Sequence, residues 1–461
     1  MKYKYEYDEL QEQQKQLFDI MSTGVNCFVS GEAGTGKSFL LKTFIKESRK
    51  KGLKVVVCAP TGIAADNIDG TTIHRAFGYP VGVLNAYGDT KIVKVKIKGT
   101  NYVNEKAPIR FLVNEALRDA DIIIVDEISS VRMDLFTLLA TQIQDTNKKR
   151  NINAGVNGTG LIQLIVSGDM FQTGPVSQPN KDEPSVLKQL YPTYSSGYAF
   201  ESPKWEEMQF NYLNLTKVIR QEDEEFSKKL GELRKGDIRI LDWLNERINN
   251  TWDGETIVIC GTNQEVKDIN EQFLNNLSGR EYIFREEMKS IPGYELNDGD
   301  RRNDEIVRLK VGARVMCLVN DKNDFYHNGS LGVVTRITPT SCFVKFDKVP
   351  AEVEVGIYTW HIKNGKDEEI GTIRQIPLKL GYAITVHKVQ GQTFDKICLK
   401  PDIYFDPAMH YVAVGRCKTL EGIQFYGNKF SNRVTFASGY QRDINLVSYS
   451  VLNFANEHNL M

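Results

Sequence analysis

The sequence predicts an α/β protein with two parallel-sheet halves, a small β-hairpin insert and an all-β insert. Three observations carry this. Short continuous apolar runs recur, each followed by a loop and a helical pattern. The first of them ends in GEAGTGKS at Gly31–Ser38, a match to G-x-x-x-x-G-K-[ST]. The rhythm breaks at two places with short strand-like runs, and then restarts.

In chain order, Asn26–Ser30 (NCFVS) leads into the glycine loop and then into the amphipathic FLLKTFIKESRKK. Val55–Ala59, Asp121–Val125 and Leu164–Ser167 repeat the pattern. Apolar runs this short, without alternation, are strands covered on both faces, hence a parallel sheet. Residues 1–78 and 116–200 form this first domain. Within 79–115, Val93–Lys98 (VKVKIK) alternates apolar and basic residues before a KGTN turn. That predicts a hairpin with Lys94, Lys96 and Lys98 on one face. Asn147–Gly160 is rich in Asn and Gly and reads as a loop. The rhythm resumes at Thr256–Cys260 and again at Lys396–Lys400, giving a second domain over 201–304 and 376–461. Residues 305–375 break into short strands between turn residues, as in a small barrel.

Composition narrows the possibilities without naming an activity. The 461 residues are 41% hydrophobic and 25% charged, as in ordinary globular proteins. Lys and Arg total 58 against 59 Asp and Glu, so no basic excess points to nucleic acid. Any such binding must come from local arrangement. The seven cysteines form no CxxC pair and read as buried free thiols of a reducing compartment. The polar N-terminus lacks the apolar core of a signal peptide, and no apolar run spans a membrane. The expectation is an intracellular protein, cytoplasmic or associated with the nucleoid.

The glycine loop carries the sharpest chemistry. Chance would produce such a pattern in roughly one chain in sixty of this length, and here a strand precedes it and a helix follows. Its glycines, Gly34 and Gly36 among them, let backbone N–H groups of residues such as Thr35 turn inward around phosphate oxygens. Lys37 would reach the β- and γ-phosphates, and the Ser38 hydroxyl would ligate Mg²⁺. Asp126 and Glu127 follow an apolar strand directly, where α/β sheets place ligands. Asp126 would hold Mg²⁺ and Glu127 would polarise the attacking water. A helix start enriched in acid is the plainer alternative for this pair. Gln172, after another strand, could sense the γ-phosphate. Arg220 and Arg416 could stabilise charge on it, although most arginines are simply surface residues.

Two further stretches could grip a polynucleotide. Ala59–Gly78 offers Thr61, Gly62 and Thr72 to a phosphate backbone and Phe77 to a base. A core helix with His74 and Phe77 buried is the alternative. Thr385–Thr393 (TVHKVQGQT) offers Thr385, His387 and Lys388 in the same way.

Taken in order, GEAGTGKS, APTGIAA, GTTIH, VDEIS, SGDMFQ, VIRQ, IPLKLGYAITVHKVQGQTFD and YVAVGRCK resemble superfamily-one helicases. The likeness is greatest to the Pif-type (petite integration frequency) and phage Dda-like branch, and runs from about Leu10 to Lys418. It implies two RecA-like domains with ATP and Mg²⁺ between them. It implies movement 5′ to 3′ on single-stranded DNA, forked duplex as substrate, and a monomer. Roles in DNA replication, repair and telomere maintenance go with it. By the same resemblance Gln14 recognises adenine, with Gln11, Gln13 and Gln16 as rivals for the place. Gly391 lies at the nucleotide, and Lys37, Ser38, Asp126, Glu127, Gln172, Arg220 and Arg416 fall on the ATPase motifs. Thr61, Gly62, His74, Asn263, Thr385, His387 and Lys388 fall on strand-contacting motifs. The hairpin insert takes the place of the strand-splitting wedge, with Tyr102 and Phe111 both possible at its tip. The β insert takes that of an SH3-like accessory domain. Two departures stand out: Gly174-Pro175 where the family usually has two prolines, and Gly415 where Ser usually precedes the last arginine.

Overall fold

The computed structural model describes all but residues 1–3, 80–81, 87–89, 97–101, 109–114, 155–159, 176–182, 219–222, 249–250, 297–299, 324, 348, 364–367, 402–403, 405, 407, 428, 432, 436–440 and 444. Contacts divide the chain into two units. One comprises Met1–Arg220, Asn364–Lys366 and Val447–Met461; the other comprises Gln221–Lys363 and Asp367–Leu446.

The first unit is built on six parallel strands. Their order is Thr71–Thr72, Val55–Ala59, Ile122–Val125, Gln163–Gly168, Cys27–Gly31, Asn211–Leu215. Every residue of Cys27–Gly31, Ile122–Val125 and Gln163–Gly168 is buried, as unbroken apolar runs require. The helix Lys37–Lys50 turns Leu40, Leu41, Phe44 and Ile45 into the core, a spacing that lines one helical face. Leu17, Phe18 and Met21 of the helix Glu12–Met21 join the same core.

The second unit holds a four-stranded parallel sheet in the order Ala383–Thr385, Val258–Cys260, Ile397–Lys400, Ile423–Phe425. Beside it stands the β insert. Five antiparallel strands run in the order Val353–Gly356, Ser341–Phe346, Leu331–Ile337, Arg314–Cys317, Leu378–Leu380. The core packed around the insert reaches from Leu274 to Leu378 and so exceeds the expected 305–375. The reason is pairing: Tyr282–Arg285 pairs with Ile306–Leu309, and Leu378–Leu380 with Arg314–Cys317.

The expected hairpin is present as Thr90–Lys96 against Tyr102–Pro108, with Lys96 opposite Tyr102. Lys98 and Phe111 lie outside the described residues. The expected loop at 147–160 is corrected, because the helix Met133–Ala154 continues through its first half. Its polar residues have tertiary partners. The Asn147 Oδ1 accepts from the Ile162 N–H at 2.8 Å, and Arg150 donates to the carbonyls of Ala120 and Gly160, each at 2.8 Å. All seven cysteines are buried and free, and burial pushes the thiols of Cys27 and Cys342 up to about 12.

The boundary expected after residue 200 falls instead after Arg220. The strand Asn211–Leu215 pairs along the whole of Cys27–Gly31, which ties it to the first sheet. Residues 447–461, expected in the second domain, return to the first unit. Phe454 of the helix Tyr449–Glu457 is 5% exposed and stacks on Phe200 with centroids 4.3 Å apart. It also meets Trp205 and Phe28 at 5.7 and 6.2 Å. Four residues on, His458 stacks on Tyr212 at 4.0 Å. Phe454→Ala should therefore destabilise the first unit by about 3–5 kcal/mol, read as a lower denaturation midpoint of its transition. An unchanged midpoint would show that this aromatic cluster contributes nothing.

Candidate functional site

The strand Cys27–Gly31 ends inside the first sheet, and the chain must leave it abruptly to begin the helix at Lys37. Gly34 and Gly36 make that turn with φ of 88° and 85°, left-handed values that suit glycine. Gly31 is needed for a different reason: a Cβ there would stand 2.7 Å from the Leu215 carbonyl oxygen and 2.8 Å from the Thr35 Oγ1. Thr35 is buried and its hydroxyl donates to the Glu32 carbonyl at 2.9 Å. The Lys37 Nζ donates to the carbonyls of Gly31 at 2.7 Å and Glu32 at 3.0 Å. The ammonium thus folds over the loop. Ser38 is exposed one residue further on.

The acidic pair sits at the end of Ile122–Val125, one strand removed from the glycine loop in the sheet order. Asp126 is 5% exposed. Burial pushes its carboxyl up, while the Glu127 backbone N–H and the Lys37 charge pull it back. A carboxylate desolvated this way, with its strongest cation shared with the loop, is suited to a divalent ion. Glu127 adopts a left-handed φ of 53°, unusual for a residue with a side chain. Gly168 lies against this turn, since a Cβ there would stand 3.0 Å from the Ile128 nitrogen. Gln172 is buried, and its N–H donates to the Asp169 carbonyl at 3.0 Å.

Among the glutamines, Gln14 is buried and its amide donates to the Gly36 carbonyl at 3.2 Å. Gln13 instead bonds Asn214 and Thr216. The structure therefore brings Gln14, Gly34, Thr35, Gly36 and Lys37 together. Arg220 lies outside the described residues. In the second unit Arg416 is 1% exposed. Its Nε donates to the Val412 carbonyl at 2.9 Å and its Nη1 to Gln392 at 3.4 Å, beside Gly391.

The strand-contacting candidates divide by exposure. Thr61 is exposed and caps the helix Gly62–Asn67 through the Ala64 N–H at 3.2 Å. Asn263 opens the helix Asn263–Asn276, and Lys388 is likewise exposed on the short helix Val386–Val389. Thr385 is buried at the end of its strand. His387 is half-buried; burial lowers its pKa, and its Nε2 is buried without a partner. His74 is half-buried, with Nδ1 3.3 Å from the Tyr79 carbonyl. Phe77 corrects the expectation of a base-stacking ring. It is 4% exposed and packs on Tyr79 at 5.6 Å, so it offers no open face and belongs to the core.

Two features escaped the sequence reading. Arg132 grips the fully buried Asp134 twice, at 2.7 and 2.9 Å, and donates to the Gly82 carbonyl at 2.7 Å. Asp134 accepts in turn from the Leu84 N–H at 2.8 Å. This clamp fixes the segment leading into the hairpin. An Arg and an Asp two apart, at the start of a helix as apolar as MDLFTLLA, were the available signal. The second is Tyr198: a Cβ on Gly174 would stand 2.8 Å from its ring. That ring fills the space that a bulkier residue before Pro175 would need.

A phosphate-type loop closing a parallel strand, with a buried carboxylate at the tip of another, defines a nucleotide-binding α/β protein. The chain matches the PIF1-like helicase family over residues 9–256. It belongs to that family. It is 28% identical over 460 residues to the ATP-dependent DNA helicase Pif1 of Campylobacter jejuni, covering 95% of each chain. Among solved structures it resembles Bacteroides sp Pif1 in complex with ADP-AlF4, at 30% identity and TM-score 0.75, covering 98% of this chain and 97% of that one. A Pif1 structure addressing unwinding of forked duplex DNA by two coordinating helicases matches at 31% identity and TM-score 0.65, with the same coverage. Two RecA-like parallel-sheet halves with antiparallel inserts agree with these relatives.

Gly31→Ala should lower stability by roughly 1–3 kcal/mol and weaken nucleotide binding together, because the added methyl meets Leu215 and Thr35. Chemical denaturation and titration with a fluorescent ATP analogue would report both. Unaltered stability would refute the crowding argument.

Proposed function

We propose that this chain is an ATP-dependent DNA helicase that moves 5′ to 3′ on single-stranded DNA and separates duplex ahead of it. The single observation that supports this most is the Lys37 ammonium folded over a glycine-turned loop, at 2.7 Å from Gly31, in a member of the PIF1-like helicases. The Campylobacter jejuni relative is an ATP-dependent DNA helicase by name, and one solved structure concerns DNA unwinding at forked duplex by two coordinating Pif1 helicases.

The residues present fit ATP with Mg²⁺. Lys37 and the N–H groups of Gly34, Thr35 and Gly36 would hold the phosphates, with Gln14 at the adenine and Gly391 nearby. Ser38 and Asp126 would hold Mg²⁺, which when bound offsets charge on the phosphates. Glu127 would take a proton from the attacking water, and Gln172, Arg220 and Arg416 would stabilise the charge that develops on the transferring group. Thr61, Gly62, His74, Asn263, Thr385, His387 and Lys388 would grip the sugar–phosphate backbone, which implies little sequence preference and strong salt sensitivity. Residues 79–115 would act as the wedge, through Tyr102 or Phe111, and 305–375 as an SH3-like accessory element. The working unit is one chain, acting inside the cell. Among the described residues no helix is long and apolar enough to cross a membrane.

The deciding assay is unwinding of 5′-tailed against 3′-tailed forked duplex with ATP and Mg²⁺. Only the 5′-tailed substrate should open, and Lys37→Ala should abolish opening while largely sparing DNA binding. Glu127→Gln should still bind ATP but hydrolyse it about 10²–10⁴-fold more slowly. ATP-driven movement without strand separation would make the protein a translocase instead. A Lys37→Ala protein that still unwinds would overturn the reading.

A further inference from the structure

Connectors are usually the most mobile parts of a fold. The one that runs from the helix Ile73–Phe77 to the hairpin strand Thr90–Lys96 is instead bolted down along its described length. The Tyr79 hydroxyl donates to the Gln142 side chain. The Gly82 carbonyl accepts from the Arg132 Nη2 at 2.7 Å, and the Leu84 N–H donates to Asp134 at 2.8 Å. The Tyr191 hydroxyl donates to the Leu84 carbonyl at 2.7 Å and accepts from the Ala86 N–H at 3.0 Å. Gln142 and Asp134 lie on the helix Met133–Ala154, and Arg132 immediately precedes it.

Arg132 is held from the opposite side as well. Its backbone pairs with Tyr198 in an isolated bridge, and the Met133 N–H donates to the Gly197 carbonyl at 2.9 Å. Glu201 fixes that loop by accepting from the N–H groups of Ser195, Ser196 and Gly197 at 2.9, 2.9 and 2.8 Å. The buried Tyr198 ring lies against Gly174, in the segment that follows Gln172. Arg132 therefore faces two ways. Its backbone meets the loop packed on the Gln172 segment, and its guanidinium holds the root of the hairpin.

The Arg132 side chain is 15% exposed and that of Asp134 0%. A buried ion pair adds little net stability over an apolar pair of the same size, because both charges lose their water. Its use here is geometric: a planar fork holds Asp134 and the Gly82 carbonyl at one fixed angle. We propose that Arg132 is a positioning residue for strand separation. It keeps the hairpin root rigid against the segment after Gln172, so that a shift at the nucleotide reaches the duplex instead of being lost in a slack connector. This deepens the reading of the chain as a helicase with residues 79–115 as its wedge, and rests on it.

The test compares ATP use with strand separation in the full chain. Hydrolysis and movement are followed on an oligothymidylate, and opening on a 5′-tailed forked duplex, each with ATP and Mg²⁺. Arg132→Met alone would leave the Asp134 charge buried and unpaired and endanger the fold. It is therefore combined with Asp134→Asn, whose amide oxygen can still accept from the Leu84 N–H. This double variant should hydrolyse ATP and move on the single strand at close to the wild-type rates, yet open duplex roughly tenfold more slowly. ATP consumed per base pair opened rises by the same factor. Arg132→Lys keeps the charge without the fork, and should show a rise in that ratio at an unchanged denaturation midpoint. A role in stability alone would lower hydrolysis, movement and opening together and leave the ratio at its wild-type value. That result in both variants would overturn this inference and leave the helicase reading intact. A wild-type protein that moves on the single strand but opens no duplex would overturn both.

Discussion

The strand Cys27–Gly31 is paired along both edges by parallel neighbours, and every one of its residues is buried. Everything at the glycine loop follows from that confinement. A strand enclosed so completely cannot bend before its end, so the turn to the next helix is compressed into Glu32–Gly36. Left-handed Gly34 and Gly36 make the turn, and the Thr35 N–H donates back to the Glu32 carbonyl at 3.4 Å. The Lys37 ammonium then lies over the same loop and exerts its charge on Asp126. Removing Asn211–Leu215 from the sheet would free one side of the strand and loosen the loop, although no residue of that strand belongs to a nucleotide motif.

Much of this was legible in the sequence, for a physical reason. A strand buried on both faces has no polar face to show, so VVVCA and DIIIV stand out without alternation. The glycine loop is legible because its residues are dictated by backbone geometry. What stayed hidden depends on partners distant in sequence. NKKRN at the start of Asn147–Gly160 looks like a loop until Arg150 is seen capping the carbonyls of Ala120 and Gly160. Phe77 looks available to a base until Tyr79 covers it. Gln14 could be chosen among four glutamines only by resemblance, whereas its bond to the Gly36 carbonyl sets it apart at once.

The inserts divide along the same line. The all-β character of the second insert was evident from its turn residues, but its edges were not. The outer strands Tyr282–Arg285 and Leu378–Leu380 belong to it only through pairing. The second of these leads through Gly381 and Tyr382 into Ala383–Thr385 of the parallel sheet, so the strand that closes the insert also feeds the TVHKVQGQT turn. The clamp of Arg132 on Asp134 plays a comparable part in the first unit, joining the helix after the acidic pair to the chain entering the hairpin.

The return of Val447–Met461 to the first unit bears on how the protein is made. Domains generally fold as units, the N-terminal one first while the ribosome is still at work. Here that order is broken. The six-stranded sheet is complete once Leu215 has emerged, yet Phe200, Trp205 and Phe28 wait for Phe454. Through the synthesis of more than half the polypeptide, the nascent first unit carries an uncovered aromatic surface of the kind that chaperones recognise.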